Sequence, residues 1–183
     1  VILHEGDLGD ADHLGVLVSD IEPDEIYNLA GISSVAYSWQ EPVLTARLSG
    51  VAATAVFEAA WRLQERTGRP VACLQASSAE IFGHAASSPQ DESTPVRPVS
   101  PYGAAKAYAH HMAGVYRGRG LRVATCILFH HESPRRSLAF VTRQLTSPAP
   151  RTPPRRRAAR PAGPPRRSPP WGRPPAPSRA TRR

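Results

Sequence analysis

The sequence predicts an α/β fold, a partial doubly wound parallel sheet followed by a disordered Arg/Pro-rich tail. Three observations lead there. Short apolar runs alternate with longer stretches of helical pattern, the order that right-handed crossovers between parallel strands produce. Residues able to do chemistry (Asp7, Gly31, Ser78, Glu80 and His131) each follow one of those runs, and ligands of such sheets bind beyond the carboxyl ends of the strands. From Thr146 onward the pattern stops, and proline and arginine take over.

The elements follow in order. Val1-Ile2-Leu3-His4 reads as a buried strand, Gly6-Asp7-Leu8 turns out of it, and Asp10 or Asp12 can cap a helix running to about Ile21. Pro23-Asp24 breaks that helix, and Glu25–Leu29 reads as the next strand, with Ala30–Ser38 as a loop. A long helical pattern runs from about Pro42 to Thr67 and ends at Gly68 and Pro70. Val71–Ala76 is a third strand, and Ser77–Val99 is mainly loop. Pro101, favoured in a first turn, opens a helix to about Arg117. Val123–Phe129 is a fourth strand, and Ala139–Leu145 begins another helix. The division is a domain over 1–145 and a low-complexity tail over 146–183.

Charge follows the same division. The chain has 183 residues and a formal net charge of +8, but eleven of its 23 basic residues are arginines beyond residue 145, together with twelve prolines and no acid. Twelve basic residues then face all 15 acidic ones in the body, which carries about −3. Proline removes backbone donors and clustered arginines repel, so the tail is expected to be disordered. It reads either as GC-rich coding sequence translated out of frame or as a basic arm for nucleic acid or anionic surfaces. Cys73 and Cys126 lie in apolar runs, as small buried hydrophobes rather than a disulfide pair. No apolar run approaches the roughly 18 residues of a membrane span, and no signal-peptide pattern opens the chain. A cytoplasmic enzyme is the default expectation.

The chemistry centres on Ser100-Pro101-Tyr102-Gly103-Ala104-Ala105-Lys106, read with Gln75–Glu80 upstream. Tyr102 and Lys106 are four apart, on one face of a helix. A free phenol titrates near ~10 and is a poor base at neutral pH, whereas an ammonium beside it favours the phenolate. Ser78 adds a hydroxyl and Glu80 a carboxylate at the end of a buried strand. Such an acid/base set suggests a nicotinamide enzyme. Tyr-x-x-x-Lys alone occurs by chance on exposed helices, but Lys106 is the only lysine in the chain.

At Leu128-Phe129-His130-His131-Glu132-Ser133-Pro134-Arg135-Arg136 the pattern becomes more specific. Together with Glu25–Leu29, Gln75–Gly83 and Ser100–Lys106, it resembles the GDP-mannose 4,6-dehydratases, extended short-chain dehydrogenase/reductases with a Rossmann-like fold. The likeness runs from about Val1 to Leu145. It implies NADP as cofactor, GDP-mannose as substrate and GDP-4-dehydro-6-deoxymannose as product. It further implies that Tyr102 takes the proton from the sugar O4, Ser78 hydrogen-bonds that oxygen, Glu80 takes the C5 proton, and Lys106 lowers the Tyr102 pKa and holds the nicotinamide ribose. By motif position, Asp7 and Leu8 would border the adenine, Leu29, Ala30, Gly31, Ile32 and Ser33 would line the dinucleotide, and His131 and Arg136 would contact the cofactor. No metal is implied, and a homo-oligomer is left open.

Departures from that pattern are His130, where the family usually has Asn, Leu44, where some members place a Tyr, and Ser137, where Gly is usual. The sequence has no Gly-x-Gly-x-x-Gly or Gly-x-x-Gly-x-x-Gly turn for a pyrophosphate. Relative to the family, the first two strands precede Val1 and most of the substrate lobe follows Leu145. In a strand order 3-2-1-4-5-6, Val1–Leu3 would be third and Glu25–Leu29 fourth, leaving a gap about two strands wide between unpaired apolar edges. The expectation is marginal stability and poor NADP binding. Another nucleotide-sugar dehydratase or epimerase, and a non-catalytic basic nucleic-acid-binding protein, remain as alternatives.

Overall fold

The Asp10 carboxylate accepts a hydrogen bond from the His13 backbone N–H and starts helix α1, Ala11–Ile21, which ends on Glu22 in the left-handed region. Strand β1, Glu25–Asn28, follows. Pro42 opens a helical segment running to Thr67: α3 (Pro42–Ala46), a wide turn with π-type bonding (Arg47–Val51) and α4 (Ala52–Thr67), closed by Gly68 at φ 66°. Strand β2 is Ala72–Ala76 and runs into a 3₁₀ turn, Ala79–Ile81. Helix α5, Pro101–Gly118, is capped by Ser100, and strand β3 is Arg122–Cys126. The computed structural model describes residues 1–138 and 140–146. The chain divides into two units, Val1–Phe129 and His130–Arg183, each taken here by itself.

The described part of the first unit holds a parallel sheet in the order β1-β2-β3, with Glu25 opposite Ala72 and Ala72 opposite Arg122. Parallel neighbours joined through helices are what the alternating pattern required. Apolar side chains of α4, α5 and the strands meet in one core, in which Phe57, Ala60 and Ala113 are fully buried beside Val71, Cys73, Leu121 and Val123. Burying a side chain the size of Phe57 contributes about 1.5–3 kcal/mol, so this cluster anchors the sheet on which the site is built.

Several expectations change. Val1-Ile2-Leu3-His4 is not a strand; its apolar side chains are exposed, and no described strand pairs with it. A strand exists by its neighbours' hydrogen bonds, and β1, the edge strand on this side, is bonded to β2 alone. The expected central gap is therefore not formed: the sheet is continuous, with Tyr27 exposed on β1. Leu29 falls outside β1, and β3 ends at Cys126 rather than Phe129. The expected Ala30–Ser38 loop gives way to α2, Val35–Gln40, because the Ser34 hydroxyl caps it by accepting from Tyr37 N–H. The helical segment Pro42–Thr67 is long and apolar enough by composition to cross a membrane, which the sequence reading did not expect. It is instead a core helix, since Ala53, Phe57, Ala60 and Leu63 lie in the cluster just described.

Within the second unit, α6 spans Val141–Thr146. Arg136 stacks over Phe140 at 3.7 Å and pairs with Glu132 at 3.7 Å. The tail beyond Thr146 lies outside the described residues.

Candidate active site

Ser77 to Glu80 continue β2 beyond its last strand residue, and two backbone bonds hold them. Ser77 N–H donates to the Cys126 carbonyl at 2.8 Å, and Ala79 N–H donates to the Leu128 carbonyl at 2.9 Å. Ser78 is thereby fixed between two tethered neighbours, and its hydroxyl accepts from Glu80 N–H at 3.2 Å.

Helix α5 brings its first turn against this segment. The Ser100 hydroxyl accepts from Gly103 N–H at 3.0 Å, which sets the start of the helix. Gly103 permits the contact: a Cβ there would lie 2.6 Å from the Glu80 carbonyl oxygen, closer than any side chain tolerates. Tyr102 and Lys106 then rise from α5, buried at 9% and 6% exposure.

The electrostatics differ in part from expectation. The Lys106 Nζ donates to the Ala76 carbonyl at 2.9 Å and stands 5.9 Å from the centre of the Tyr102 ring. Burial raises the Tyr102 phenol above its ordinary value, a hydrogen bond from the Ser78 side chain draws it down, and the charge of Glu80 pushes it up. Burial also lowers the Lys106 pKa. In this geometry, then, the phenol is held up by burial rather than brought down by the ammonium. Tyr102, Ser78, Glu80 and Lys106 are nevertheless gathered at the carboxyl end of β2, as the sequence implied.

The remaining candidates are placed as follows. Asp7 is exposed; its carboxylate accepts from Gly9 N–H at 2.7 Å, a turn-forming role, with Leu8 half-buried beside it. Leu29, Ala30, Gly31, Ile32 and Ser33 form the loop after β1, with Leu29, Ala30, Gly31 and Ser33 exposed. Gly31 sits at φ 128°, where a Cβ would lie 3.0 Å from the Ser49 hydroxyl, so the loop backbone is drawn close against the Arg47–Val51 turn. His131 and Arg136 belong to the second unit.

Three residues to which sequence reasoning gave no role of their own, Ser49, Asn28 and Gln75, hold this arrangement, and a fourth, Ser77, lies buried within it. The buried Ser49 hydroxyl accepts from Ile32 N–H at 3.0 Å and donates to the Ile32 carbonyl at 3.2 Å. Asn28 and Gln75 bond to each other at 2.7 Å. The Ser77 hydroxyl is buried with no hydrogen-bond partner in the structure. A polar residue inside an apolar strand run was the available signal for Asn28 and Gln75; Ser49 gave none, because its partner is 17 residues away.

The fit to a dinucleotide is good at one end. A glycine-bearing loop with exposed backbone follows β1, and an orphaned buried hydroxyl at Ser77 lies next to Ser78. A concavity of about 490 Å³ along β3 is lined by Arg117, Leu121, Arg122 and Ala124 and includes none of the candidate residues.

Residues 1–158 match the family model described as GDP-mannose 4,6 dehydratase, a match that runs past Leu145. GDP-mannose 4,6 dehydratase 1 of Arabidopsis thaliana is 45% identical over 145 residues, covering 79% of this chain and 40% of that protein. GDP-mannose 4,6-dehydratase of Vibrio cholerae is 42% identical over 147 residues, covering 79% and 39%. Among solved structures, RMD from Pseudomonas aeruginosa complexed with NADPH superimposes with a TM-score of 0.66 at 27% identity, over 77% of this chain and 48% of that one. The chain thus spans about 40% of the length of the curated relatives it matches.

Proposed function

The chain belongs to the GDP-mannose 4,6-dehydratase family, and from that premise we propose that residues 1–145 carry the cofactor-facing and acid/base part of a GDP-mannose 4,6-dehydratase. The observation that carries this reading is the convergence of Ser78, Glu80, Tyr102 and Lys106 at the end of β2, two of them on one turn and two on one helix face.

NADP, suggested by the NADPH held in the Pseudomonas aeruginosa structure, would when bound accept hydride from the sugar C4 and return it to C6. The loop Leu29–Ser33 would line it, Asp7 and Leu8 would border its adenine, and Lys106 would hold its ribose. His131 and Arg136 are assigned to it by motif position. The sequence offers no glycine-rich turn of the usual spacing for the pyrophosphate.

The chain's own groups then divide the proton transfers. Tyr102, as phenolate, would take the O4 proton, and the Ser78 hydroxyl would donate to the same oxygen. Once C4 is a ketone, the C5 proton is acidic, and Glu80 would take it and protonate the hydroxyl leaving from C6. Burial of Tyr102 strengthens whatever charge stands near it, so Ser78 and Lys106 are the groups able to favour the phenolate. The net change is loss of one water and formation of GDP-4-dehydro-6-deoxymannose. A cytoplasmic setting suits substrates that are soluble nucleotides.

The test is a chimera in which the matching segment of the Vibrio cholerae relative is replaced by residues 1–145. Formation of a 4-keto product from GDP-mannose is the expected result. Product from dTDP-glucose in its place moves the reading to a different nucleotide sugar, and no product from either removes it.

A further inference from the structure

Beneath the four-residue set lies a line of buried hydrogen-bonding side chains. Asn28 ends β1 and Gln75 stands on β2, and the Asn28 Nδ2 donates to the Gln75 Oε1 at 2.7 Å. Gln75 Nε2 donates at 2.9 Å to the Ala76 carbonyl, the same oxygen that accepts from Lys106 Nζ at 2.9 Å. At the other end, the Asn28 Oδ1 accepts from Ala30 N–H at 3.2 Å. The links run unbroken from the loop after β1 to the Lys106 ammonium.

Burial makes each link matter. Asn28, Gln75 and Lys106 are 8%, 1% and 6% exposed. An amide sealed from water is costly unless both of its ends are bonded, and those of Gln75 are. Bonds in series also polarise one another, so the donation from Asn28 strengthens that from Gln75 to Ala76. Among the described residues the Ala76 carbonyl is the hydrogen-bond acceptor of Lys106. A carbonyl just at the end of a strand can tilt; one held by a second donor from a packed side chain cannot do so without breaking that chain of bonds.

We infer that Gln75 is a positioning residue: it fixes the Ala76 carbonyl on which the Lys106 ammonium rests and, through Asn28, ties that ammonium to the loop Leu29–Ser33. Its meaning for catalysis rests on the reading of Lys106 as part of the acid/base set. The experiment reads Lys106 itself and needs no turnover.

Because Lys106 is the only lysine, a chain labelled with ¹³C at the lysine ε-carbon gives a single side-chain resonance that follows protonation with pH. In Gln75→Met, which keeps the length and removes both polar ends, the Lys106 pKa is expected to fall by about one unit, because the charged form loses an aligned acceptor while its burial persists. Asn28→Ala, which leaves β2 untouched, is expected to move it the same way by less. An unchanged or raised Lys106 pKa in folded Gln75→Met overturns the inference. The unsubstituted chain supplies a check should neither variant fold: the Gln75 Nε2 protons must exchange slowly with solvent, and fast exchange overturns it equally. A shifted Lys106 in this chain's Gln75→Met variant, together with a chimera that makes no 4-keto product, leaves the positioning role standing and the dehydratase reading failed.

Discussion

The Lys106 ammonium and the Tyr102 ring share a face of α5 at 5.9 Å, yet the ammonium rests on the Ala76 carbonyl rather than on the phenol oxygen. The group that draws the phenol's pKa down is the Ser78 side chain. Ser78→Ala therefore removes the group that draws the Tyr102 pKa down and leaves burial and Glu80 unopposed. The phenol is expected to titrate higher, seen as a displaced ultraviolet phenolate transition relative to the unsubstituted chain. In the chimera the same change is expected to lower turnover roughly ten- to hundredfold, the worth of one hydrogen bond to a charged group.

Two glycines of α5 give opposite expectations. At Gly103 an added Cβ meets the Glu80 backbone oxygen at 2.6 Å, while at Gly114 the nearest atom is the end of Arg117 at 3.6 Å. Alanine gains up to about 1 kcal/mol over glycine inside a helix, but overpacking against backbone costs about 1–3 kcal/mol. Gly114→Ala should raise the Tm, and Gly103→Ala should lower it by several degrees in calorimetry. A Gly103→Ala chain as stable as its parent would show that the approach of α5 to the Ser78–Glu80 segment is not tight.

Tyr116 donates to the Glu58 carboxylate at 2.7 Å, and Arg119 reaches the same oxygen at 3.2 Å. Hydrogen bonds from Tyr116 and then Arg62 hold Glu58 below its ordinary pKa, while burial and the Glu58 bond push Tyr116 up to about 12. The signs are opposite. Glu58, depressed on folding, contributes stability above its unfolded pKa that is lost as pH falls through the folded value. Tyr116, raised on folding, contributes stability that is complete below about 10 and gone as pH rises through about 12. Tyr116→Phe is expected to flatten the alkaline limb and shrink the acid one in denaturant titrations against pH. An unaltered profile would remove the pair from the stability account.

Burial pushes the Cys73 thiol up to about 11, whereas Cys126 is only half-buried. The thiolate is the reactive form, so Cys73 should be inert in the native chain near neutral pH. A chromogenic disulfide reagent is expected to titrate at most one thiol natively and two in denaturant; two fast thiols in the folded chain would contradict the buried sheet position of Cys73.

Much of this was legible in the residues because it is local. The period of the Pro42–Thr67 stretch, the cap at Asp10, the Ser100-Pro101 start of α5 and the four-residue step from Tyr102 to Lys106 each need only neighbours along the chain. Val1–Leu3 misled because an apolar run specifies burial but not the partner strand that would make it a strand. The α2 helix was missed because Ser34 was read as loop rather than cap. The direction of the Tyr102 shift was hidden for a different reason. It depends on how deeply α5 packs and on which acceptor Lys106 finds, and Ala76 lies 30 residues away from it in sequence.

The buried Lys106 has a practical consequence. It carries the only side-chain amine in the protein, and it is sealed inside the fold at 6% exposure. Apart from the chain's own amino terminus, a reagent selective for amines finds no other amine to modify until the first turns of α5 lift from the sheet. The rate at which the second acyl group appears, followed by mass, is therefore a clock for the opening of the candidate active site.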